Sequence, residues 1–166
     1  VSLLDAPAGI DGCGIPVAGM PLKSVALAFA RFAHGKGLAK QRRVAALAIY
    51  QAMVEQPFMV AGTGRWCTQA IKAGEGAFIV KTGAEGVYCA AVPAAGIGIA
   101  IKVDDGAQRA AECAMGWALA RFAGLGASRR AEISDLAVSP VNNFAGQRVG
   151  EVHPSAELAT LGNGSF

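Results

Sequence analysis

The hydrophobic period of this chain changes near residue 78, and no other feature limits its fold as much. Upstream, apolar residues recur at helical spacing: Leu22, Val25, Ala26, Phe29 and Phe32 in one run, then Val44, Leu47, Ala48, Tyr50, Met53 and Val54 in the next. From Phe78 three short apolar runs follow in close order. Phe78-Ile79-Val80-Lys81 leads through Thr82-Gly83-Ala84-Glu85-Gly86 to Val87-Tyr88-Cys89-Ala90-Ala91-Val92, and a third run covers 96–103. Connections this short allow only antiparallel pairing, because parallel strands need a long crossover. Helical spacing then returns over 107–122. The expected class is α+β, an antiparallel sheet flanked by helices.

The helices have readable ends. Pro21 suits the first turn of a helix that stops near Gly35. A second runs over 39–55 with a basic start, Lys40, Arg42 and Arg43, and Pro57 just past its end. A third covers 63–73, with Thr63 as its capping side chain and Gly74 after it. The fourth, over 107–122, presents Ala110, Cys113, Ala114, Trp117, Leu119 and Ala120 to the core. The expected remainder is irregular: a Gly- and Pro-rich loop over 1–20, a loop over 123–131, a short extended segment over 133–138, and a flexible tail over 155–166. Residues 1–166 read as one partial domain. Three strands leave exposed sheet edges, and the chain opens on Val1 inside an apolar stretch, so an N-terminal half is expected to be missing.

Composition closes off several function classes. Apolar residues make up 53% of 166 and charged residues 16%, against about 25% charged in average chains, which excludes disorder. The net charge is +3, and the densest basic cluster, Lys36, Lys40, Arg42 and Arg43, has no interleaved aromatics, so no nucleic-acid partner is expected. The longest uncharged run, 86–101, is broken by Pro93, Gly96 and Gly98 and is too short to span a membrane. No signal peptide is expected. Cys13, Cys67, Cys89 and Cys113 lie far apart without a CxxC pair, which points to reduced thiols in a cytoplasm.

Several motifs carry chemistry. Lys81-Thr82-Gly83 closes a strand and resembles the Lys-Thr-Gly of β-lactamases and penicillin-binding proteins. Such a lysine holds a substrate carboxylate or assists a serine nucleophile; the alternative is a solvated lysine before a turn. No serine has a lysine three positions on, so Ser-x-x-Lys is absent from the sequence. Asp11-Gly12-Cys13-Gly14 could offer a zinc thiolate with an acid beside it, but spacing alone favours a Gly-rich turn. Arg65, in Gly62-Thr63-Gly64-Arg65, either orients a carboxylate or is solvated. Asn142 and Asn143 fit a local turn role.

Taken in order, Asp11-Gly12-Cys13-Gly14-Ile15-Pro16, Pro21-Leu22, Gly62-Thr63-Gly64-Arg65-Trp66-Cys67-Thr68, Lys81-Thr82-Gly83-Ala84-Glu85-Gly86-Val87 and Pro140-Val141-Asn142-Asn143 with Gly146 and Val149-Gly150 resemble the C-terminal half of rhizobial-type L-asparaginases, the thermolabile asparaginase II-like family. The resemblance implies a fold similar to serine β-lactamases and glutaminases, and hydrolysis of L-asparagine to L-aspartate and ammonia. It implies that a Ser-x-x-Lys pair and a Cys-Ser-Gly-Lys segment come from the N-terminal half. It implies zinc held in part by Cys13, with Asp11 beside it and Cys67 near the substrate, and a homodimer at full length. Lys81, Thr82 and Gly83 become the catalytic candidates, with Gly83 a source of backbone donors for the oxyanion. Asp11, Cys67 and Arg65 become the substrate-binding candidates. The alternative is a non-catalytic α+β binding or assembly domain derived from the same family.

Overall fold

The computed structural model describes Ser2 and residues 4–160. Three strands, β3 (Ile79–Thr82), β4 (Val87–Val92) and β5 (Ile97–Lys102), form an antiparallel sheet in the order β3-β4-β5. Its register sets Thr82 opposite Tyr88, Lys81 opposite Cys89, and Cys89 opposite Ala100. The expected meander is therefore present, and its side chains alternate between two faces.

One face carries Phe78, Val80, Tyr88, Ala90 and Val92, all fully buried or nearly so. It is covered by α4 (Trp66–Gly74) and α5 (Gln108–Phe122), with α6 (Ala127–Leu136) behind them. The other face is covered by α1 (Leu22–His34), which lies over β5 and β4, and by α2 (Lys40–Glu55), which touches β3. Here the strands present small residues. A Cβ on Gly98 would stand 2.0 Å from the Ala26 carbonyl oxygen, so α1 and β5 meet backbone to backbone. α1 ends as its sequence implies, with Gly35 left-handed and its N–H on the Arg31 carbonyl at 2.7 Å.

Several expectations need correction. Pro57 does not merely follow a helix: it opens α3 (Pro57–Ala61), a role its fixed φ permits. The segments read as a loop and an extended stretch form α6, whose polar sequence buries only Ile133 completely. On α5 the fully shielded positions include Ala111, Met115 and Ala118, while Ala110, Ala114 and Trp117 are half-buried. The face is turned because α5 packs on α6 as well as on the sheet; Gly116 sits directly against Ala137. The opening loop contains a small hairpin, β1 (Ala8–Ile10) with β2 (Pro16–Ala18). A second hairpin, β6 (Ser139–Asn142) with β7 (Arg148–Val152), carries the Asn142-Asn143 turn. The Asn143 side chain accepts the Ala145 and Gln147 N–H groups, which is the local role expected of it. Of the tail, residues 156–160 form α7 (Ala156–Thr160), and 161–166 lie outside the described residues. No helix among the described residues is long and apolar enough to cross a membrane.

Candidate functional site

The Lys81-Thr82-Gly83 triplet ends β3, and strand alternation sends its first two side chains to opposite faces. Lys81 shares a face with Ile79. Its side chain is exposed at the rim of an open cleft of about 900 Å³, lined also by Phe29, Phe32, Met53 and Met59. Among the described residues Lys81 is the one charged residue lining that cleft, and its Nζ donates to the Thr82 carbonyl at 2.6 Å. The Gly83 N–H, expected as an oxyanion donor, instead donates to the Val87 carbonyl at 2.7 Å. A Cβ on Gly83 would lie 3.2 Å from the Val87 side chain, so packing inside the turn accounts for the glycine.

Thr82 faces the other way, into a buried polar chain. Cys67, in the first turn of α4, is 1% exposed, with its Sγ 3.8 Å from the Tyr88 hydroxyl. Tyr88 donates to Glu112 Oε1 at 3.0 Å, and the Gln108 amide donates to the same oxygen at 2.7 Å. Thr82 stands opposite Tyr88 in the sheet, and its own hydroxyl donates to the Gly83 carbonyl at 3.1 Å. Burial pushes the Cys67 thiol above its ordinary value, and the Tyr88 hydrogen bond and the Lys81 charge offset this only in part. Burial pushes the Tyr88 phenol up as well. Both groups are therefore protonated at neutral pH, and Cys67 serves here as a packed, hydrogen-bonded thiol. Trp66 stands edge-on to Tyr88 at 5.6 Å and donates its indole N–H to the Leu136 carbonyl at 2.8 Å.

Arg65 precedes Cys67 by two residues and lies outside this buried chain. It is the N-cap residue of α4, with an exposed side chain. The expected Thr63 cap is absent: α4 starts three residues later, because Gly62 and Gly64 both adopt positive φ and keep the chain non-helical. Side chains from within the helix hold this loop. Thr68 donates to the Gly62 carbonyl at 2.8 Å and Gln69 to the Gly64 carbonyl at 3.0 Å. Arg65 lines a polar pocket of about 310 Å³ with Gly64, Trp66, Gln69, Gln108 and Glu112.

Asp11 and Cys13 sit on the exposed turn between β1 and β2, and line neither cavity. Asp11 organises that turn. Its carboxylate accepts the Gly12 N–H at 2.7 Å, its carbonyl accepts Gly14 N–H at 2.8 Å, and its N–H donates to Ile15 at 2.9 Å. Structural zinc takes four ligands. Among the described residues no three His, Cys, Asp or Glu side chains gather as a metal site. Cys89 and Cys113 are buried, as their positions on a sheet face and a helix core face imply, and burial raises both thiols.

Of the residues singled out from sequence, Cys67 and Thr82 come together, and Arg65 joins them through Glu112, which belongs to both the buried chain and the polar pocket. Lys81 stands across the sheet. Tyr88 and Glu112 escaped the sequence reading. Tyr88 was accessible through hairpin register, since the turn over 83–86 sets it against Thr82. Glu112 showed one signal: it is the single charge in the apolar run 110–120. The family model of L-asparaginase II matches residues 2–154. A search of curated proteins returns no match.

Proposed function

Because the chain belongs to the L-asparaginase II family, we propose that it serves the hydrolysis of L-asparagine to L-aspartate and ammonia, with Lys81 as the lysine that assists a serine nucleophile. One observation carries this reading: among the described residues Lys81 is the lone charge at the rim of a wide apolar cleft. A serine hydroxyl is a weak nucleophile until a base takes its proton. A lysine becomes that base when it is desolvated, or when a second cation stands near it. A segment bearing a Ser-x-x-Lys pair, supplied from outside these 166 residues, would bring both conditions to Lys81 on filling the cleft. Serine then attacks the side-chain amide carbon, ammonia leaves with a proton returned by the lysine, and water releases L-aspartate from the acyl-enzyme.

The finer parts of this reading belong to the same proposal: a serine β-lactamase-like architecture for the whole domain, a homodimer, and a cytoplasmic setting, which four free thiols support. Cys13 is proposed as one zinc thiolate beside Asp11, with the other ligands from the same missing segment. No step above runs through zinc.

The test is ammonia release from L-asparagine. The 166-residue chain alone is expected to show none. Adding the segment encoded upstream of Val1 is expected to give turnover, which Lys81→Ala lowers by about 10²–10⁴-fold, the usual worth of a positioned acid–base group. Turnover that ignores Lys81→Ala defeats the proposal. No turnover with the upstream segment in place favours the non-catalytic domain.

A further inference from the structure

The motif from Pro140 to Gly150 takes no part in the chemistry proposed for Lys81, yet its turn is held more firmly than a plain connection needs. The Asn143 N–H donates to the Gln147 carbonyl at 2.9 Å, the Gly146 N–H to the Asn143 carbonyl at 2.9 Å, and the Asn143 side-chain amide to Gln147 Oε1 at 3.1 Å. These add to the two N–H groups that the Asn143 side chain accepts, and Gly146 closes the turn in the left-handed region at φ 78°. What the turn holds out is Phe144. It is the most exposed large apolar side chain among the described residues, and Val141 and Val149 on the flanking strands are exposed as well. A turn already fixed in this way loses little further freedom when a partner takes the ring, so the hairpin is preorganised for binding. A buried aromatic anchor is the kind of residue that carries an interface.

We propose that Phe144 inserts into the apolar cleft of a second copy of this chain, and that the second copy returns its own Phe144 in a reciprocal, two-fold exchange. The cleft suits an aromatic ring: Phe29, Phe32, Ile49, Met53 and Met59 line it, and among the described residues its one charge, Lys81, stands at the rim. Methionine sulfurs make favourable contact with ring edges. A chain does not fill its own cleft, because β7 rests against α5, which covers the sheet face opposite to the one under α1 and α2. The area favours reciprocal exchange. Each ring buries about 150–250 Å², and the wall it covers loses a like area. Two insertions with their flanking valines approach about 1,200 Å², the lower bound for a specific interface, whereas a single head-to-tail insertion reaches half of that. One ring takes a minor share of a cleft of about 900 Å³, which leaves the rim at Lys81 open to the catalytic segment. The inference supplies an interface for the homodimer of the preceding reading and sets a partner residue in the cleft that Lys81 borders; it is independent of amide hydrolysis, since association is measured without asparagine.

The test is sedimentation velocity of the 166-residue chain over a range of concentrations. A monomer–dimer equilibrium is expected. Phe144→Asp removes the knob and Met59→Lys spoils the cleft, both at exposed positions where folding tolerates the change. Each is expected to weaken the dimer by about tenfold or more. An equal mixture of the two variants pairs one intact knob with one intact cleft, and is expected to form a heterodimer tighter than either variant forms alone. A wild-type chain that stays monomeric up to about 0.1 mM overturns the proposal. So does a dimer that Phe144→Asp leaves as it was, which would keep the homodimer and remove this interface. A dimer lost on Met59→Lys but kept on Phe144→Asp puts another segment in the cleft and overturns the knob. Species that grow beyond two copies overturn the reciprocal closure. Failure of the chain to release ammonia changes none of these readings, so the two proposals fail separately.

Discussion

The two faces of the sheet are made from alternate residues of the same three strands, yet they are packed by different means. On the α4/α5 face large side chains interdigitate: Phe78, Val80, Tyr88 and Val92 from the strands meet Ile71, Met115 and Leu119 from the helices. On the α1 face the strands offer Cys89, Ala91, Gly98 and Ala100, and the helix backbone itself fills the space. Toward β3 that second face stops being closed. Ile79 is buried beneath it, but Phe29, Phe32 and Met53 are only partly covered, and Met59 is 78% exposed. The difference separates two uses of apolar residues. Volume makes a dry, rigid face that holds the buried polar chain, whereas close approach at one end leaves a gap at the other, and the gap is where Lys81 emerges.

The largest effect should come from emptying the volume-packed face. Phe78 is 0% exposed, and its ring already touches the position a Cβ on Gly74 would take. Phe78→Ala is expected to cost about 3–5 kcal/mol of unfolding free energy, read from urea denaturation. A loss below about 1 kcal/mol would mean this face collapses as easily as the other.

Next comes the opposite operation on the opposite face. Gly98→Ala adds one methyl where none fits, and the neighbour is backbone that cannot rotate away. The expected loss is about 1–3 kcal/mol, with weakened amide protection in α1 and none in α5. Equal losses of protection in both helices would contradict the contrast between the two faces.

The third and smallest effect is a pH dependence weighted toward the thiol-bearing core. Folding raises the thiols of Cys67, Cys89 and Cys113 above the ordinary value of 9.0. Above that pH the unfolded chain has shed thiol protons that the folded chain keeps, so stability must fall as pH rises. Below it the contribution is fully present. Tyr50, pushed up to about 12 by burial on the α1 face, adds its loss only at higher pH, above the ordinary tyrosine value of 10.0. The expected urea midpoint is flat between about pH 7 and 8 and declines beyond about 9. Cys67→Ala should make the decline shallower, and a decline that begins below pH 8 would assign it to other groups.

The parts of the fold that were legible in sequence are those where burial imposes a period. The shift at Phe78 gave the meander because β3 and β4 are buried and β5 is half-buried along most of its length, and Gly35 marked the end of α1 because only a left-handed residue turns there. α6 escaped because a helix that buries only Ile133 completely has no apolar stripe to show. The β1–β2 hairpin escaped because both strands are largely exposed, so nothing in their sequence must alternate. The candidate site was legible as residue types and not as a constellation. Lys81 and Thr82 are neighbours in sequence, but a strand sends adjacent side chains to opposite faces. Arg65 and Glu112, far apart in the chain, share a pocket because two helices begin on the same side of the sheet.

The backbone contact between α1 and β5 also bears on the order in which the chain assembles. β3, β4, β5 and α5 follow one another directly and can form from local contacts, which close quickly. Ala26 and Gly98 must instead find each other across all of α2, α3, α4, β3 and β4, a closure that costs chain entropy before any contact rewards it. α1 is therefore a late arrival, and its side of the sheet stays wet until it docks. If opening runs through the same steps in reverse, lifting α1 uncovers the face from which Lys81 projects.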